Sequence, residues 1–283
     1  MKKITLISAI FILFSCTENP FGGNKKIANR TITGRVVLDR VESYPNGFHD
    51  GVFVWSEGLG LQATTDIDGT FELVLTASSE QSSGAIVDGD YTIHFFLGNY
   101  LISNISVSFA AGQVVNDSKL INIKGEILRD ISLTRVLGVH TSISPKIITS
   151  GFDSEVEVII ELTPDRPPIF MNIRKVVTQR DEIYTGLLFK DEETNKLMYS
   201  VDIDAASTMR EFIAGPTKKI VINFDYVNVN LPTGNYEVIP YFMIDRKDIP
   251  QGILSALGAG YNTFSENFFN LPFYRTGGKL VVQ

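Results

Sequence analysis

Asp68-Gly69-Thr70-Phe71-Glu72-Leu73-Val74-Leu75 sets the pattern from which the rest of the chain can be read. Asp-Gly is a turn pair that tolerates positive φ, and behind it Phe71, Leu73 and Leu75 alternate with Thr70, Glu72 and Val74. A period of two places one set on each face of a strand, so a hairpin turn feeding a half-buried strand is predicted. The alternation recurs on both sides. Ile32, Val36 and Leu38 alternate with Thr33, Arg35 and Val37; Tyr91, Ile93 and Phe95 with Thr92, His94 and Phe96; Ile105, Val107 and Phe109 with serines. Ile121 with Ile123 and Ile131 with Leu133 complete the set, and Pro45-Asn46-Gly47, Asp88-Gly89 and Ala111-Gly112 supply turns between strands. Such spacing predicts an antiparallel sandwich of about seven strands.

The second half is strand-rich as well. Val156, Val158, Ile160 and Leu162 point one way and Glu155, Glu157 and Glu161 the other. Ile220, Ile222, Phe224 and Tyr226 alternate until the phase slips at Val227 and Val229, which predicts a bulge. Leu231-Pro232-Thr233-Gly234-Asn235-Tyr236-Glu237-Val238 repeats the turn, Gly-x-Tyr and apolar sequence that begins at Asp88-Gly89. A tyrosine just after a turn can cap a sandwich by bonding back to the backbone, so a second, immunoglobulin-like sandwich is expected. Residues 205–214 and 250–258 read as short helices, and 279–282 as the last strand. Residues 136–150, with Pro145 as a break, read as the junction between the halves.

Composition bounds the rest. The 283 residues are 44% hydrophobic and 11% aromatic, as in a globular protein with enough apolar mass for two cores. The net charge is -7, and removing Lys2 and Lys3 leaves 23 basic against 32 acidic side chains, so nucleic acid is a poor partner. Cys16 is the single cysteine, which excludes an internal disulfide and a cysteine-based zinc site.

The N-terminus carries an address. Met1-Lys2-Lys3 precedes an apolar run ending in Leu13-Phe14-Ser15-Cys16. That run is too short to span a bilayer and has the layout of a secretion signal. Its last four residues resemble a lipoprotein processing box, although Phe14 departs from the usual small or branched residue. The resemblance implies a signal peptide over 1–15, cleavage before Cys16, lipidation of Cys16 and a membrane-anchored mature chain. Residues 17–30 are polar and aperiodic, a tether of roughly 20 Å as a flexible coil, so 16–30 reads as lipid plus tether. Thr17 stands where an inner-membrane retention signal would put Asp, which points to the outer membrane of a bacterial envelope.

Four motifs carry a family resemblance: Ile32-Thr33-Gly34-Arg35-Val36, Gly51-Val52-Phe53-Val54, Thr65-Asp66-Ile67-Asp68-Gly69-Thr70-Phe71 and Gly89-Asp90-Tyr91-Thr92-Ile93. In this order they resemble the carboxypeptidase regulatory-like, or prealbumin-like, domain. The resemblance implies a β-sandwich over 31–135 with no catalytic residues of its own, leaving 151–283 for the second sandwich. The serine-rich insert 76–86 reads as an exposed loop.

Candidate chemistry is sparse. Thr64 to Gly69 has the acids of a calcium loop, but Thr64 and Leu75 occupy the places where Asp and Glu are needed, so a hairpin turn explains it better. His49, His94 and His140 are isolated in sequence, His94 on a face expected to meet solvent, and no metal site or cofactor is expected. Tyr274-Arg275-Thr276-Gly277 matches the Tyr-Arg-Gly-Ser ending of hydroxyisourate hydrolases only in its first two residues and is set aside. The glutamates of 155–161 read as a solvated strand face. Val52 and Val54 would face a core, leaving Phe53 and Trp55 as an aromatic platform for a sugar or partner protein, or as a face covered by another layer. Residues 261–274 hold six aromatics and read as an interface loop or an end cover.

The expectation is therefore an all-β, lipid-anchored, non-enzymatic envelope protein of two antiparallel β-sandwiches that binds or scaffolds a partner protein or glycan. The alternatives are an envelope hydrolase or an accessory subunit of one, and a structural part of a surface appendage.

Overall fold

The computed structural model describes residues 31–41, 47–75, 87–110, 113–117, 119–229, 231–258 and 260–283. The signal peptide, Cys16, the tether and the serine-rich insert lie outside the described residues, as do parts of the Pro45-Asn46-Gly47 and Ala111-Gly112 turns.

Among the described residues eight strands build the N-terminal sandwich: β1 (Thr31–Leu38), β2 (Phe53–Ser56), β3 (Leu61–Thr64), β4 (Thr70–Val74), β5 (Gly89–Phe96), β6 (Ser103–Ala110), β7 (Gln113–Val114) and β8 (Ile131–Leu133). One sheet runs β4-β1-β8, the other β3-β2-β5-β6-β7. All pairings are antiparallel except β1 with β8. The alternation in the sequence generates the core. Ile32, Val36, Leu38, Phe71 and Leu73 face Val52, Val54, Ile93, Phe95, Ile105 and Val107 across the sandwich. Phe71 meets Phe95 edge to face at 5.4 Å, which locks the two sheets together. Ile121 and Ile123 do not form a strand. Asn122 Oδ1 accepts the N–H groups of Lys124 and Glu126, so the chain turns there, Ile121 is buried and Ile123 is exposed.

The C-terminal sandwich uses β9 (Leu137–Ser144), β10 (Ile147–Ile148), β11 (Glu155–Pro164), β12 (Ile169–Val177), β13 (Glu182–Tyr184), β14 (Leu187–Asp191), β15 (Leu197–Val201), β16 (Ser207–Ile213), β17 (Lys218–Asp225), β18 (Gly234–Pro240), β19 (Phe242–Ile244), β20 (Thr276–Gly277) and β21 (Lys279–Val282). One layer is β17-β11-β9-β20. Facing it are β10-β21-β18-β14-β15 and the group β13-β12-β16, with β19 also on β12. The chain passes between these last two sheets at Gly186 and again at Tyr241, whose N–H donates to the Gly186 carbonyl at 2.8 Å. The two sheets therefore form one bent layer over a single core. β9 with β20 and β10 with β21 are parallel pairs, so the sandwich is mixed at its edges.

Three expectations are corrected. Residues 136–150 are not a junction: β9 lies between β11 and β20 and puts Leu137, Val139 and Ile143 into the core. Residues 207–213 are a strand, not a helix, because β12 pairs with them in register from Ile169 with Ile213 to Lys175 with Ser207. Cross-strand pairing there overrides the helix propensity of Ala, Met and Glu. The slip after Tyr226 is a 3-10 turn, Tyr226–Asn228, that ends β17. Residues 251–256 are helical as expected, in the short helix α1 (Gln251–Ala256).

Candidate functional site

The aromatic pair of β2 does not form an open platform. Phe53 is cross-strand from Phe96, and Trp55 from His94, so these four side chains share the face opposite the Val52 and Val54 core. Phe53, Phe96 and His94 are buried and Trp55 is partly buried. The cover comes from the C-terminal half: Leu188, Ile239, Tyr241, Ile253, Leu257, Phe268 and Leu271 pack over them as a third apolar cluster. Trp55 stacks on His94 at 5.7 Å and lies against the backbone of α1. A Cβ on Gly252 would stand 2.3 Å from the indole, so only glycine admits the ring there. His94 thus lies in a seam and not in solvent, its Nε2 3.3 Å from Glu57 Oε2.

Polar contacts close the rest of the seam. Asn99 is fully buried and donates from Nδ2 to the carbonyls of Leu137 and Tyr274, both at 2.9 Å. Arg246 donates to the carbonyls of Gly98 and Tyr100. Asp165 takes Arg135 at 2.7 Å and Arg40 at 2.9 Å. The aromatic segment 261–274 is accordingly part of the interface, with Phe268 at its centre and Tyr241 edge-on to Phe268 at 4.8 Å.

The other sequence candidates are structural. Gly69 has φ +81°, and Asp66 Oδ1 accepts the N–H groups of Asp68 and Thr70, a turn that consumes the acid a calcium site would need. Those hydrogen bonds, the Thr70 hydroxyl foremost, hold the Asp66 carboxyl below its usual value. His49 is buried and its Nδ1 accepts the Leu38 N–H at 3.1 Å. His140 is exposed beside Thr276. Among the described residues no group of three His, Cys, Asp or Glu side chains could hold a metal. Glu155 and Glu157 are exposed, and Glu161 pairs with Lys219 at 2.8 Å.

Two polar arrangements escape a reading by periodicity. Lys175 is buried and bonds Glu182 at 3.0 Å and Glu211 at 3.1 Å, while Lys218 and the Tyr184 hydroxyl also reach Glu211. Burial opposes both charges, yet their mutual hydrogen bonds raise the Lys175 ammonium and lower the Glu211 carboxyl, so the cluster stays ionised. Burial, and then hydrogen bonds to the two glutamates, drive the Tyr184 phenol strongly upward. None of these groups is poised to exchange a proton near neutrality.

The second arrangement is a cleft of about 640 Å³ along the seam, within the size range of small-molecule sites. Asp50 and Leu97 line it from the N-terminal sandwich, Lys190 and Glu237 from the C-terminal one, and Phe269, Phe273 and Arg275 from the closing segment. Lys190 pairs with Glu237 at 2.8 Å. Arg275 lies over the Phe273 ring at 4.4 Å, forms no ion pair among the described residues, and has a buried Nε without a hydrogen-bond partner. Burial pushes its guanidinium down to about 10. A larger open trough, about 790 Å³, lies on the N-terminal sandwich, where Arg35 is already held by Asp130.

No family model matches the chain, and no curated protein matches it. Among solved structures, a chain of a type II cohesin–X-dockerin complex from Acetivibrio cellulolyticus is 22% identical with a TM-score of 0.25, over 37% of this chain and 57% of that one. This chain thus spans just over half the length of that relative. A DUF3823 family protein from Bacteroides ovatus is 11% identical with a TM-score of 0.32, over 77% of this chain and 96% of that one. BcpA, the major pilin subunit of Bacillus cereus, is 12% identical with a TM-score of 0.27, over 76% and 66%.

Proposed function

We propose that this chain is a non-enzymatic, lipid-anchored protein of a bacterial envelope, a rigid binding or scaffolding module for a glycan or partner protein. Cys16 supplies residence in the outer membrane, residues 17–30 supply reach, and sandwiches over 31–135 and from β9 onward supply spacing. The first of these is a carboxypeptidase regulatory-like domain on the strength of its four motifs. The observation that carries the reading is the seam, where Phe53, Phe96 and Trp55 are used to fix one sandwich to the other. Burying those rings converts two modules into one stiff body, as a spacer or a preformed binding surface requires. The Lys175, Glu211 and Tyr184 cluster supports a non-catalytic role, since its members are locked in single charge states.

Fractionation of cells expressing the native chain and Cys16→Ser tests the anchor. Release of the variant into the soluble fraction is expected, and retention in membranes would remove lipidation from the account. Incubation of the purified protein with envelope glycans and peptides tests the rest. Binding without product is expected, and release of a cleaved product would make it an enzyme.

A further inference from the structure

We propose that the seam cleft is a binding site for a sugar acid, with Arg275 receiving the carboxylate and the surrounding rings receiving a face of the sugar. The inference rests on the reading of the chain as a binding module and deepens it by naming a ligand class. The cleft joins three things that such a ligand needs.

The first is an uncommitted cation. Charged side chains in protein interiors are paired, because an isolated buried charge is costly. Among the described residues Arg275, partly buried, departs from this: Nε is enclosed without an acceptor, and the guanidinium makes one long hydrogen bond, 3.5 Å, to the Phe273 carbonyl. Glu237 acts on it through space, but that carboxylate is hydrogen-bonded by Lys190. Lys279, also in the lining, is taken by Glu192. An incoming carboxylate would supply the missing partner, and a guanidinium is suited to a planar, two-oxygen acceptor. Although lowered to about 10, the group is still charged at neutral pH.

The second is a set of ring faces. Phe273 and Phe268 flank Arg275, with its guanidinium carbon 4.4 and 5.4 Å from their centroids. Phe269 lies beneath Lys190, and Phe48, 61% exposed, stands at the rim of the same cleft. A large ring left in water at the mouth of a cleft is apolar surface available to a partner.

The third is a polar lining that suits hydroxyl groups. Asp50, Glu237, Lys190 and Thr276 place donors and acceptors around those rings. Lys190 and Glu237 are paired and Thr276 bonds the Val139 carbonyl, but each keeps further donor or acceptor capacity that an apolar acid would strip of water and that the hydroxyls of a sugar acid can meet. The charge selects an acid, the hydroxyl-matching lining selects a sugar, and the volume limits the occupant to one or two rings.

The test is calorimetric titration of the full mature chain, carrying Cys16→Ser, with digalacturonate, with neutral galactobiose and with a tri-aspartate peptide. Digalacturonate should bind at least about 10-fold more tightly than galactobiose, the scale of one charge-assisted hydrogen-bonded contact. Arg275→Gln should erase that preference, and Phe48→Ala, an exposed change that leaves the fold intact by circular dichroism, should weaken binding several-fold. Equal affinity for the acid and neutral disaccharides, or a preference that survives Arg275→Gln, would overturn the assignment. Binding of the peptide in place of the sugar would overturn it as well while leaving a binding module standing. Cleavage of digalacturonate would instead overturn the binding-module reading itself.

Discussion

Asn99 and Tyr274, 175 residues apart, are paired as two residues of neighbouring strands would be: the Tyr274 N–H donates to Asn99 Oδ1 at 3.0 Å, and Asn99 Nδ2 returns a bond to the Tyr274 carbonyl at 2.9 Å. One amide side chain thereby substitutes for a stretch of backbone and joins the N-terminal sandwich to the segment that leads into β20. Its Nδ2 also serves the Leu137 carbonyl, so the start of β9 is held by the same group. Next to it the Gly98 N–H donates to the Pro272 carbonyl at 2.7 Å.

Asn99→Ala leaves these backbone groups unpaired in a dry place, and a loss of about 2–4 kcal/mol is expected. Urea titration measures it. Trp55, the only tryptophan, sits in the same seam, so its emission should shift to the red in the variant before the far-ultraviolet circular dichroism changes. A loss below about 0.5 kcal/mol would mean that the seam is held elsewhere, since changes of that size are typical of inert surface positions.

Much of the fold was legible because it is written in local periods. Strands such as β4, with Phe71 and Leu73 in and Thr70 and Glu72 out, and β21 at 279–282 need no information from afar. Both Gly-x-Tyr segments were legible for the same reason. The seam was not. His94 and Trp55 occupy alternate positions of the kind that normally meet water, and they are covered by α1 and the residues after it, about 160 to 220 positions downstream. Nothing near β2 announces that cover; the one hint was the density of rings in 261–274. Residues 205–214 misled because Met209 and Glu211 favour a helix when isolated and a strand when β12 lies alongside. Arg275 was visible only as part of an imperfect motif, and its lack of a partner is a property of the surrounding packing.

Gly69 is required twice over. Its φ is +81°, and a Cβ would approach the Val36 carbonyl oxygen to 2.1 Å. The Gly69 carbonyl also accepts the Val36 N–H at 2.8 Å, so the turn cannot swing away without losing a bond to β1. Gly69→Ala should therefore cost more than the conformational strain alone, about 2–4 kcal/mol. Thermal unfolding of the variant against wild type checks this, and an unchanged midpoint would show that the turn is free to re-form.

Tyr91 and Tyr236 end the two Gly-x-Tyr segments in the same manner. The Tyr91 hydroxyl donates to the Val87 carbonyl at 2.9 Å and the Tyr236 hydroxyl to the Pro232 carbonyl at 2.6 Å, each four residues back. Their surroundings differ, because Tyr236 is buried and Tyr91 only partly so. Tyr236→Phe removes a bond made by a buried ring to the carbonyl of the exposed Pro232 and should cost about 1 kcal/mol, whereas Tyr91→Phe, at a half-buried ring, should cost well under that because water replaces the bond. Paired urea titrations test the ranking. Equal losses would mean that the bond, not its burial, sets the energy.

The pH dependence of stability follows from which groups are held in their charged or neutral forms. Burial raises the carboxyls of Asp202, Glu211 and Glu237, but bonds from Arg174 and Thr185, from Lys218, Lys175 and Tyr184, and from Lys190 outweigh it and leave all three low. On unfolding they return to 3.8 or 4.5, so below that range the unfolded chain takes up protons that the folded one refuses. Their contribution is complete above about pH 5 and is lost progressively as the pH falls. Tyr100, Tyr184 and Tyr241 have the opposite consequence at the other end. Burial first, and acids beside the first two, raise these phenols above 10.0, so stability is full below that value and falls as the pH climbs past it. Arg275 runs against the tyrosines: burial lowers its guanidinium to about 10 in the folded chain, below its ordinary value in the unfolded one, so folding is penalised by its charge at neutral pH and relieved as the pH rises past about 10. Urea titrations should thus show a plateau from about pH 5 to 9 with losses on both sides. Arg275→Met should be at least as stable as wild type at pH 7, with any advantage shrinking above pH 10. An advantage that grows there would mean that the guanidinium has an acid partner after all.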